Sequence, residues 1–121
     1  MRITYFTLDD VNQDLVRRWA ARAGARVTCS AGGPPAGGPD RPAAVIVDLD
    51  FLPPEVRVGW VRKAVAGEVP CPVFAHGHNI ADADAVALSR HGVRVCRGRL
   101  RRAVLIGWLR RVAQVPAVSG S

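Results

Sequence analysis

The sequence has 121 residues, 49% of them hydrophobic, enough for one packed core and too few for two domains. Its formal net charge of +7 comes from arginine, with Lys63 the single lysine, so acidic surfaces or nucleic acid are the expected partners and a wholly disordered chain is excluded. No apolar run approaches the roughly 18–20 residues that cross a bilayer. Met1 to Tyr5 carries no secretory h-region, and Cys29, Cys71 and Cys96 form no C-x-x-C pair, so free thiols in a reducing cytoplasm are expected.

Ile3 to Leu8 is β-branched and aromatic and reads as a first strand. A helix follows, capped by Asp9 and Asp10, with Val11, Leu15, Trp19 and Ala23, and Val16 and Ala20 beside them, as its apolar stripe and Gly24 as its stop. Arg26 to Cys29 is a short second strand. Ser30 to Pro42 packs four glycines and four prolines into thirteen residues and is expected to be a surface loop. Ala43 to Val47 is apolar on both faces, the mark of a central strand in a parallel sheet, and it runs into Asp48-Leu49-Asp50. Pro53 and Pro54 start a helix that buries Val56, Trp60, Val61, Ala64 and Val65 and ends at Gly67. Pro72 to Ala75 is a fourth strand leading into His76-Gly77-His78-Asn79. Ala81 to Arg90 is a helix, Val93 to Cys96 a fifth strand, and Leu100 to Val112 a last helix.

Strands alternating with helices imply right-handed crossovers and a three-layer α/β/α sandwich around a five-stranded parallel sheet, flavodoxin-like in class. One domain over residues 1–115 and a flexible tail over 116–121 are expected. In such sheets the working crevice opens at the carboxyl ends of the strands. That rule selects Thr7 to Asp10, Asp48 to Phe51, His76 to Asn79 and Arg97 to Arg99, with Asp9, Asp10, Asp48, Asp50, His76, Gly77, His78, Arg97 and Arg99 as the candidate residues. The charge is also uneven. All ten acidic residues lie at or before Asp84, while Arg90, Arg94, Arg97, Arg99, Arg101, Arg102, Arg110 and Arg111 follow it unopposed.

The run Ala44-Val45-Ile46-Val47-Asp48-Leu49-Asp50-Phe51-Leu52-Pro53 resembles the third strand of the response-regulator receiver domain. The resemblance implies that Asp48 stands at the phosphoacceptor position and that Mg²⁺ is held beside it, with Asp9, Asp10 and Asp48 as the candidate ligands. It also implies a contact face made by the family's fourth helix, fifth strand and fifth helix. Here that face contains Arg94, Arg101, Arg102, Arg110 and Arg111, for a protein partner or a homodimer. Several positions depart from the family pattern. Counting back from Gly24 puts Thr7 and Leu8 where the family has an acidic pair. Gly77 stands for its Ser or Thr, Arg97-Gly98-Arg99 for its Lys-Pro, and the Gly/Pro loop replaces its second helix. The expectation is an atypical, degenerate receiver-like domain, standing alone and acting by contact, with no catalytic residue and with phosphorylation at Asp48 in question. Two alternatives are carried. Asp48 and Asp50 also resemble the first motif of haloacid-dehalogenase-like phosphatases, which implies Mg²⁺-dependent phosphotransfer. The C-terminal arginines could instead bind nucleic acid. His76 and His78 could join Asp48 around a metal, or simply serve a turn.

Overall fold

The computed structural model describes residues 1–31, 42–65 and 71–114. The strands are β1 (Arg2–Phe6), β2 (Arg26–Ser30), β3 (Ala44–Asp48), β4 (Val73–Gly77) and β5 (Arg94–Arg97). The helices are α1 (Asp10–Arg22), α2 (Arg57–Val65), α3 (Asp82–Arg90) and α4 (Arg102–Gln114), with 3-10 turns at Leu49–Phe51 and Pro54–Val56. All strand pairs are parallel, in the order β2-β1-β3-β4-β5. The chain winds outward from β1 to β2 and then returns across β1 to β3. The topological switch point therefore lies between β1 and β3, at the ends that carry Thr7 and Asp48.

Side chains of a strand alternate between the two faces of the sheet, so each strand feeds two cores. Ile3, Tyr5, Ala44, Ile46 and Phe74 point to one side, where α1 contributes Val16 and Ala20 and α4 contributes Leu105, Trp108 and Leu109. Phe6, Val45, Val47, Val73 and Ala75 point to the other, under Trp60, Val61 and Ala64 of α2 and Leu88 of α3. Every residue of β3 and β4 is buried, as a central strand covered on both faces must be. Aromatic edges finish both layers. Phe6 meets Trp60 at 4.9 Å and Phe74 meets Trp108 at 5.4 Å between ring centroids.

Three expectations need correction. The first strand stops at Phe6, because Thr7 turns its side chain toward Asp48 while its N–H still donates to Ser30 O at 3.0 Å. Val11 is 70% exposed although it fits the apolar stripe, of which Val16 and Ala20 are the residues that bury. Val56 is 43% exposed, since Pro54–Val56 forms a 3-10 turn and the α-helix begins only at Arg57. No helix separates β2 from β3 among the described residues. Most of the expected Gly/Pro loop, the stop at Gly67 and the tail 116–121 lie outside them. Among the described residues no helix is long and apolar enough to cross a membrane.

Candidate functional site at the carboxyl edge of the sheet

Asp48 ends β3 at the switch point and is only 5% exposed. A buried carboxylate is costly unless its oxygens are satisfied, and here both are. Thr7 Oγ donates to Oδ2 at 2.8 Å and the Asp50 N–H donates to Oδ1 at 3.0 Å. The second bond is a local one that any Asp two residues before a free amide can make, and it starts the 3-10 turn Leu49–Phe51. Thr7 is itself fixed, since its Oγ accepts from the Asp9 N–H at 3.0 Å. The carboxylate thus ties the end of β3 to the β1–α1 connection.

Asp50 does the same one loop further along. Its Oδ2 accepts from the His78 N–H at 2.8 Å and its Oδ1 from the Asn79 N–H at 3.4 Å, so it caps the β4–α3 connection. Gly77 lies close beneath that carboxylate. A Cβ on residue 77 would stand 3.0 Å from Asp50 Oδ1. Arg57, 5% exposed at the start of α2, closes the adjoining seam by donating to Leu52 O at 3.1 Å and Asn79 O at 2.6 Å.

The two imidazoles part company at Gly77, which ends β4. His78 is exposed, whereas His76 is 3% exposed and shares a 2.7 Å hydrogen bond between Nε2 and the Tyr5 hydroxyl. Burial holds the His76 imidazole below its ordinary value, against a smaller upward pull from Asp48, its register partner on β3. Burial, and next the charge of Asp48, push the Tyr5 phenol up. Both groups are therefore neutral near pH 7.

Asp9, Asp10 and Asp48 do not form the expected Mg²⁺ site. Asp9 spends Oδ1 on the Asn12 N–H at 3.0 Å as the N-cap of α1, Asp10 is the exposed first residue of that helix, and Asp48 is held by Thr7. Among the described residues no three His, Cys, Asp or Glu side chains come together in a way that could hold a metal, which also sets aside His76 and His78 with Asp48. The donor set does not fit the cation that the resemblance implies. Arg97 is held by the β4–α3 connection. It donates to Ile80 O at 2.7 Å and pairs with Asp82 at 2.7 Å, bracing β5 against the start of α3. Arg99 is exposed in the β5–α4 connection.

A pilus assembly protein assignment (cpaE, Burkholderia thailandensis) goes with a structure that matches at a TM-score of 0.75 and 20% identity, over 95% of this chain and 99% of that one. A CheY-like response regulator of Mesorhizobium loti matches at 0.66 and 22%, over 92% and 97%. The fold is that of a receiver domain. A second receiver-fold structure assigned as pilus assembly-related, from Burkholderia pseudomallei, matches at 0.67 and 21%, over 93% of this chain and 89% of that one. No family model and no curated protein sequence matches the chain.

Sequence reasoning selects Thr7, Asp48, Asp50, His76 and Gly77 but misses two residues around the receiver-fold crevice, Tyr5 and Arg57. Thr7 is placed at the crevice by the strand-end rule, and its hydroxyl is the natural donor to a carboxylate on the next strand. Tyr5 shares its strand face with Ile3 and Thr7, so its parity was a usable signal. Arg57 gave none, because its two carbonyl partners meet only in the folded chain.

Proposed function

We propose that this chain is a signalling domain of the receiver type that works by contact with a protein partner, with Asp48 serving the structure and not phosphoryl transfer. The observation that carries the reading is the double occupation of the buried Asp48 carboxylate by Thr7 Oγ and the Asp50 N–H. An aspartate that attacks phosphorus needs an accessible oxygen and a cation beside it to take up the charge of the transferred group. Thr7 stands in place of an acid, Gly77 supplies no hydroxyl, and Arg97 is engaged by Ile80 and Asp82. The pilus-assembly assignments of two similar structures favour a role in contact within a larger assembly. A cytoplasmic location goes with this reading, and Cys29 and Cys96 are thiols. The phosphatase reading has less behind it, because Asp50 commits both oxygens to backbone amides.

The test is direct. Incubation with acetyl phosphate or beryllofluoride plus Mg²⁺ is expected to leave the intact mass and the amide resonances around Asp48 unchanged, as in Asp48→Ala. A phosphoryl mass increment that appears in the wild type and vanishes in Asp48→Ala overturns the reading.

A further inference from the structure

Gly59 lies inside α2, although glycine weakens a helix interior relative to almost any other residue. Nothing described within the chain asks for it. Its φ is not positive, and a Cβ built on it meets no atom within 4 Å. The residue opens into a cleft of about 270 Å³ lined by Val56, Gly59, Trp60 and Lys63. All four belong to α2 or to the turn before it, so among the described residues no other element closes the cleft. The helix that packs beside α2 is α3, and none of its residues lines this space.

The cleft is unfinished in two further ways. Val56 leaves 43% of its surface exposed at one end. Trp60 is buried, yet its Nε1 has no hydrogen-bond acceptor among the described residues, which is uncommon for a buried polar atom. Gly107 of α4 is open in the same way as Gly59, but no large apolar side chain of that helix is exposed beside it.

Charge indicates the occupant. Glu55 stands four residues before Gly59 and Lys63 four residues after it, a spacing that keeps all three near one helix face. Both charges are exposed, and neither forms an ion pair among the described residues. The helix dipole accounts for each charge by itself, but not for an open glycine and an exposed valine between them. Two copies of α2 packed antiparallel about a two-fold axis at Gly59 would set Glu55 of each against Lys63 of the other. Glycine at the crossing would let the two backbones approach, with Val56 of each copy entering the cleft of the other. A foreign surface of one sign would match one end of this face only, whereas a second copy matches both. We propose that this face of α2 binds a second copy of the chain in an antiparallel helix pair centred on Gly59. One helix against one helix is a small contact, so the dimer is weak and forms at high concentration. This goes beyond the receiver-type reading above and stands whether or not Asp48 accepts a phosphoryl group.

Lys63 is the single lysine, which makes the contact addressable. A carbodiimide, which condenses a carboxylate with an amine, is expected to yield a covalent dimer whose digest joins the Glu55 peptide to the Lys63 peptide. Sedimentation over a wide concentration range, in about 0.15 M salt to screen the net charge of +7 beyond about 8 Å, reads the affinity. Glu55→Lys alone and Lys63→Glu alone should each weaken the dimer by about tenfold or more. Combined in one chain they should restore it, because opposite charges then face each other again. Gly59→Leu should abolish the dimer without lowering the thermal midpoint of the dilute chain, since the site is open and leucine is the better helix former. A chain that stays monomeric at every concentration overturns the proposal. So does a dimer that survives Gly59→Leu, a charge-swapped variant no tighter than the single ones, or a covalent dimer joined through other residues.

Discussion

A threonine hydroxyl can donate one hydrogen bond and accept others, and Thr7 uses both capacities, giving its proton to Asp48 and taking one from the Asp9 amide. Thr7→Val keeps the shape and removes both, leaving a buried carboxylate oxygen without its donor. The expected loss is about 1–3 kcal/mol in urea unfolding. His76 offers a pH test. Its pKa is lowered in the folded chain, so below the ordinary value of 6.5 the unfolded state binds the extra proton. Stability from the neutral imidazole is complete above that value and is lost as pH falls from it toward the lowered folded value, at about 1.4 kcal/mol per unit of depression. His76→Gln keeps a partner for the Tyr5 hydroxyl without titrating. Thermal midpoints measured between about pH 7 and 5 should fall less steeply in that variant than in the wild type.

At the scale of elements, two aspartates set how strands pass into the helices that follow them. Asp48 starts the turn after β3, and Asp50 caps the turn after β4 from the neighbouring loop. The close approach of residue 77 to Asp50 couples those loops. Gly77→Ala should cost about 1–3 kcal/mol in the wild type through overpacking, and clearly less in an Asp50→Ala background, where the opposing oxygen is gone. A double-mutant cycle by chemical denaturation reads the coupling. Additive losses would mean that the residue 77 backbone, and not Asp50, sets the requirement for glycine.

Over the whole molecule, the sheet separates two apolar layers, and the charge is divided as well. Every acid lies at or before Asp84, and the last third is cationic. Unpaired like charges on one side repel, and salt screens them. Raising ionic strength from about 0.01 M to about 0.15 M shortens the screening length from about 30 to about 8 Å. The thermal midpoint should therefore rise, and the gain should shrink in Arg101→Ala with Arg102→Ala, which removes the pair that the helix dipole opposes. A midpoint indifferent to salt would mean that the arginines are too well separated in solution to repel.

The sequence by itself determined the parallel α/β sandwich. Short β-branched runs such as Ala44 to Val47, alternating with amphipathic stretches, leave few other ways to bury apolar residues on both sides of a sheet. It also located Asp48 and Asp50 at a strand end, since their place follows from chain order alone. Only the tertiary structure decided what those carboxylates touch. The partners of Asp48, Asp50 and Arg57 include Thr7, His78 and Asn79, residues far away in the chain or in another loop, brought together by strand register and by the return of the chain across β1. Helix periodicity likewise marked Val11 and Val56 as apolar but could not tell that they stay exposed, because burial depends on what stands opposite a residue and not on its spacing along the helix.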